Sequence, residues 1–111
     1  DTPYIREDIK DILEEMGYEV YEANDGLEAL RMYKKIKPTV VTMDINMPNM
    51  HGLAATKEIS NYDRNAKILI CSTMVMFPNY QKMGREAGAK SFLSKPFTDE
   101  EFVEAFSKLF L

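Results

Sequence analysis

Apolar residues recur along the chain with two alternating periods. Ile5, Ile9, Ile12, Leu13 and Met16 fall at helical spacing behind Thr2 and Pro3, which read as an N-cap and a first helical residue, and Gly17 closes the segment. Tyr18 to Ala23 then alternates with the two-residue period of a strand. Asn24 or Asp25 caps a second helical pattern whose inner side is Leu27, Leu30, Met32, Tyr33 and Ile36, with Pro38 beyond its end. Thr39 to Met43 is rich in β-branched residues and too short for a helix, so it reads as a buried strand that stops at Asp44. Pro48 and Gly52 hold the following residues in a loop, and a third helix runs from about Leu53 to Ser60. Lys67 to Cys71 is a further apolar strand, ending at Ser72 and Thr73. Met74 to Pro78 reads as a loop that leads into a helix stopping near Gly88. Ser91 to Ser94 forms a short strand, and Thr98 and Glu101 have capping-box spacing ahead of a last helix. That helix is expected to bury Phe102, Val103, Phe106, Leu109 and Phe110.

Helices and strands alternating through short connections predict an α/β fold, a parallel sheet covered by helices on both faces. In such sheets ligands and chemistry collect outside the carboxyl ends of the strands. Asp44, Ser72 and Lys95 each stand at such an end, and Asp1 joins them at the start of the chain. Their types fit together. Carboxylates are hard oxygen ligands for Mg²⁺, which takes few protein groups and keeps several waters. A lysine brings a compact positive charge and a hydroxyl one hydrogen bond. The set suits a transient phosphoryl group, with Asp44 as an exposed nucleophile, the metal and Lys95 neutralising its oxygens and Ser72 donating to one of them.

Composition narrows the classes. The 111 residues make one domain, and a hydrophobic share of 45% with a charged share of 29% is ordinary for a globular chain. A net charge of -4 disfavours direct contact with nucleic acid or an anionic membrane. The single cysteine, Cys71, excludes an internal disulfide and a cysteine metal cluster. No apolar run approaches the ~20 residues of a membrane span, and no signal peptide opens the sequence. The expectation is a cytoplasmic domain.

The run Asp44-Ile45-Asn46-Met47-Pro48-Asn49-Met50-His51-Gly52, Ser72 behind its apolar strand, Ala87-Gly88-Ala89, and Phe92 three residues before Lys95-Pro96-Phe97 resemble, in order and spacing, the receiver domain of two-component response regulators, nearest the single-domain chemotaxis (CheY-like) type. The likeness covers essentially the whole chain. It implies a doubly wound, flavodoxin-like parallel sheet of five strands. It implies phosphorylation of Asp44 by a partner histidine kinase, with Asp1, Asp44 and the backbone carbonyl of Asn46 as Mg²⁺ ligands. Lys95 would bind the phosphoryl oxygens, and Lys95-Pro96 would be cis, which an X-Pro bond permits. Ser72 and Phe92 would form a switch pair, with Thr73 the competitor for the hydroxyl role. The downstream effector protein would dock on the family's fourth helix, fifth strand and fifth helix. The product of such a domain is a conformation, so it is not an enzyme in the usual sense. Alternatives are a receiver cut from a multidomain transcriptional regulator, a Mg-dependent phosphatase or phosphotransferase, and a degenerate receiver that only binds proteins.

Other residues carry less. His51, the one histidine, reads as an exposed loop residue, and Cys71 as a small hydrophobe within a strand. Met74, Met76 and Phe77 either pack over the site or present an adaptable apolar surface to a partner near Phe92.

The family's first strand, and the acid that precedes Asp1 in it, have no counterpart in these residues, so residues 1–111 read as an N-terminally incomplete receiver. That strand lies between the segments Tyr18 to Ala23 and Thr39 to Met43, leaving a gap of about 4.8 Å on each side. Each buried, unpaired backbone group costs about 1–3 kcal/mol, against a total stability of roughly 5–15 kcal/mol. The expectation is therefore upstream residues, a strand donated by another chain, or direct pairing of the two flanking segments.

Overall fold

The computed structural model describes residues 3–23, 25–44 and 51–111 of the chain. Thr2, Asn24 and the Ile5 side chain lie outside that description. The elements in order are α1 (Pro3–Glu15), α2 (Gly26–Ile36), β1 (Val41–Met43), α3 (Gly52–Tyr62) and β2 (Ile68–Ser72). A 3₁₀ turn (Thr73–Met76), α4 (Pro78–Ala87), β3 (Ser91–Ser94), α5 (Asp99–Ser107) and a terminal 3₁₀ turn (Lys108–Phe110) complete it. Local chemistry accounts for most boundaries. Asp25 caps α2 by accepting from the Glu28 N–H at 2.8 Å, and Thr98 and Glu101 form both bonds of a capping box on α5. Pro78 opens α4, where its missing N–H would have had no helical partner.

The three strands pair in parallel in the order β1-β2-β3, with Val41 opposite Ile68 and Ile70 opposite Phe92. β2 is central and buried at every position. Its alternation divides the core. Ile68 and Ile70 pack with Tyr33, Ala55, Ile59 and Val75 beneath α2, α3 and α4. Leu69 and Cys71 face the other way, onto Ile9 and Ile12 of α1 and Phe102, Ala105 and Phe106 of α5. Helices thus cover both faces, as the doubly wound reading requires.

Four expectations are corrected. Tyr18 to Ala23 is not a strand, because no neighbour offers it a ladder among the described residues, so three of the four strands read in these residues are paired. The segment does not pair directly with β1 either; a cavity of about 800 Å³ lies between them, lined by Val20, Glu22, Val40 and Thr42 among others. Met74 to Met76 is a 3₁₀ turn rather than open loop, capped by Ser72. Val103 and Phe110 are exposed rather than buried, as are Met16 and Ile36. Val103 follows the buried Phe102 and so points about 100° away around the helix, whereas Phe110 rests its ring on Phe106, with centroids 5.5 Å apart. Met16 and Ile36 sit at the ends of their helices, where the core no longer reaches.

Candidate functional site

Parallel strands in register put their carboxyl ends on one rim. Asp44 follows β1, Ser72 ends β2 and Lys95 follows β3, so three of the residues singled out in the sequence arrive side by side. Lys95 Nζ lies 3.0 Å from Asp44 Oδ2. The Lys95 N–H donates to the Ser72 carbonyl at 3.2 Å, which carries the β2–β3 ladder up to the site. The Lys95-Pro96 bond is cis. Only 6% of the Lys95 side chain and 12% of the Asp44 side chain are exposed. The expected exposed carboxylate is therefore withdrawn from water, with a buried ammonium set against it. In that setting charge interactions are strong and removal of either partner is costly.

Ser72 is fully buried, and its Oγ accepts from the Met74 N–H at 3.1 Å. That bond uses the oxygen as acceptor and leaves the hydroxyl proton to donate. Thr73 next to it is exposed and begins the 3₁₀ turn. Register places Ser72 opposite Ser94 and Ile70 opposite Phe92. Since alternate residues share a face, Ser72 and Phe92 point to the same side of the sheet, beneath α4. Cys71, on the opposite face, has its thiol pKa pushed up to about 12 by burial, with smaller effects from Lys95, which lowers it, and Asp44, which raises it. It is an inert core thiol.

Asp1 and Asn46 lie outside the described residues. Among the described residues no group of three or more His, Cys, Asp or Glu side chains gathers around a metal position. His51 is exposed as expected, but it also serves the local structure, because its Nδ1 accepts from the Leu53 N–H at 3.2 Å and caps α3. Met76 and Phe77 are exposed by 67% and 50%, while Met74 is half-buried against the core.

Comparison with known proteins places this arrangement. The model of the response regulator receiver domain matches residues 1–107. The chain belongs to the response regulator receiver family. The receiver is 48% identical, over 113 aligned residues, to the chemotaxis protein CheY of Thermotoga maritima, spanning 98% of this chain and 91% of that protein. Its fold superposes with a TM-score of 0.91 and 26% identity on a chain of the CheX-CheY-BeF3-Mg²⁺ complex from Borrelia burgdorferi, covering 99% of this chain and 84% of that one. It superposes with a TM-score of 0.86 and 25% identity on the receiver domain of the sensor histidine kinase PA1611 of Pseudomonas aeruginosa, which has a magnesium ion coordinated in its active site cleft, covering 98% and 90% of the two chains. Among the described residues no helix of the receiver is long and apolar enough to cross a membrane.

Sequence reasoning passed over Gly84 and Arg85 of α4, which stand against the Phe92 ring. The available signal was a glycine inside an otherwise helical pattern, which usually has a packing reason.

Proposed function

We propose that this receiver is the phosphorylation-driven switch of a two-component system, of chemotaxis type, and that Asp44 is its phosphoacceptor. A carboxylate oxygen of Asp44 bonds to phosphorus as the N–P bond of a phosphohistidine on a histidine kinase breaks, and the imidazole leaves with the electron pair. Lys95 neutralises the charge on the transferred group, and Ser72 donates its hydroxyl proton to one phosphoryl oxygen. The observation that carries this reading is the ion pair: an ammonium 3.0 Å from the carboxylate, at a shared strand rim, is already placed where the negative charge would grow. Asp44, Asp1 and the Asn46 backbone carbonyl are a hard-oxygen set that fits Mg²⁺. When bound, the ion supplies charge neutralisation at the phosphoryl oxygens. The magnesium in the cleft of the PA1611 receiver supports the same assignment here.

The modification biases a two-state surface through the Ser72 and Phe92 pair. Its output face is α4, β3 and α5, where exposed Met83 of α4, flanked by exposed Met76 and Phe77 of the turn that leads into that helix, offers apolar contact to an effector protein. Such a domain works in the cytoplasm, contacts neither nucleic acid nor membrane, and yields a conformation rather than a released product. The test is incubation with a small phosphodonor such as acetyl phosphate, followed by intact-mass analysis. Labelling is expected in Mg²⁺, and is expected to vanish in EDTA and in Asp44→Asn. Undiminished labelling of Asp44→Asn would overturn the assignment. Lys95→Ala is expected to weaken the response of Phe92 to the phosphodonor; an unchanged response would remove Lys95 from the coupling.

A further inference from the structure

A glycine inside a helix is less favourable than an alanine, yet Gly84 sits in the middle of α4 and is buried. Its neighbours supply the reason. A Cβ at Gly84 would stand 2.5 Å from Cε1 and 3.1 Å from Cζ of Phe92, and 3.0 Å from Cδ1 of Ile70. Those separations are below contact distance, so the ring occupies space that any other residue type at 84 would take. On the next residue of the helix, the Arg85 guanidinium lies 5.1 Å from the centroid of the same ring, within cation–π range. The helix that carries both is tied to the site. Gln81 Nε2 donates to the Val75 carbonyl at 2.7 Å, and Val75 belongs to the 3₁₀ turn that Ser72 caps. A cavity of about 270 Å³ adjoins the ring, lined by Phe92 itself with Val75, Gln81 and Arg85 among others.

We infer that Gly84 and Arg85 are positioning residues for the Phe92 ring: the missing Cβ at 84 leaves the seat the ring occupies, and the guanidinium at 85 covers it. The inference rests on the reading of Phe92 as a switch residue and adds what holds the ring in its present position. A side chain at 84 drives the ring out of the seat, so the protein no longer has this state to leave when Asp44 is modified. Loss of the cation at 85 uncovers the ring and loosens it.

The experiment uses the full chain with fluorophenylalanine incorporated, the Phe92 signal being assigned among the six phenylalanines by its loss in Phe92→Leu. Its ¹⁹F shift and its broadening by a soluble paramagnet are followed before and after addition of acetyl phosphate and Mg²⁺. In the unmodified protein, Gly84→Ala is expected to shift the Phe92 signal and raise its broadening above that of the native chain. Arg85→Gln is expected to do the same to a smaller extent, and Arg85→Lys to keep the native signal. A folded Gly84→Ala protein with the native shift and broadening overturns the inference. Should Gly84→Ala fail to fold, Gly84→Ala is placed in a Phe92→Ala background: recovery of folding supports the steric seat, and a loss undiminished by removal of the ring overturns it. Failure of the switch reading looks different. The native Phe92 signal would then ignore the phosphodonor, while the comparison of unmodified native and Gly84→Ala proteins would still decide the seat.

Discussion

Asp44 and Lys95 depend on one another because both are withdrawn from water. Asp44→Ala removes a carboxylate from beside the ammonium of a lysine whose side chain is only 6% exposed. The variant is expected to lose about 1–3 kcal/mol of stability as well as its phosphoacceptor. Asp44→Asn, which keeps the shape and one acceptor oxygen, should lose less, and urea unfolding of the two variants measures the difference. Equal stability of Asp44→Ala and the native chain would show that the pair adds nothing. Cys71 gives a second residue-scale prediction. Its folded pKa is raised from 9.0 to about 12 by burial, so the folded state holds the neutral thiol more tightly than the unfolded chain does. That contribution is complete below pH 9 and declines as pH rises toward 12. Between pH 8 and 10, therefore, the urea midpoint should fall more in the native chain than in Cys71→Ala. Below that range iodoacetamide should spare the thiol until urea unfolds the protein. The residue types at the rim were legible because strand ends, hydroxyl, lysine and carboxylate each have a chemical reason to be there. The partial burial of Asp44 was not, since it depends on where Lys95 folds back across the sheet.

At the scale of elements, the helices were the most legible, with the caps of α2 and α5, whereas the His51 cap of α3 was not anticipated. The sequence pattern also located β2 and β3, because a continuous apolar run and a short β-rich run between turn residues have few other uses. It misjudged Tyr18 to Ala23, since alternation states only that a segment suits a half-buried strand, and the ladder that makes it one comes from a neighbour. It also assigned Val103 and Phe110 to the core by residue type, although helix phase turns Val103 outward and Phe110 lies past the end of α5. The join between α4 and β3 offers a test. Gly88 ends α4 with φ +115°, and a Cβ there would run into the Ser60 side chain of α3. Gly88→Ala is expected to cost about 1–3 kcal/mol through backbone strain and overlap together. Ser60→Gly in the same background removes the overlapping Oγ and Cβ and should recover only part of it, because the positive φ remains. Thermal unfolding of the single and double variants measures both, and full recovery would leave overlap as the sole cause.

For the whole molecule, stability is concentrated around β2, which has a strand on each side and a helical layer on each face. Amide hydrogen exchange should be slowest at Leu69, Ile70 and Cys71, and faster from Glu19 to Ala23, for which no ladder bond is seen among the described residues. Protection of that segment equal to that of β2 would contradict this order.

By itself the sequence determined the α/β class, the helix ends, the family resemblance and the residue types that meet at Asp44, Ser72 and Lys95. These follow from periodicity, capping and side-chain chemistry, which are written locally. Only the tertiary structure decided that Asp44 is half-buried against Lys95 at 3.0 Å, and that Gly84 and Arg85 stand against the Phe92 ring. Distances and seats of that kind belong to pairs of residues far apart in the chain, and they exist only once helix and sheet have been packed together.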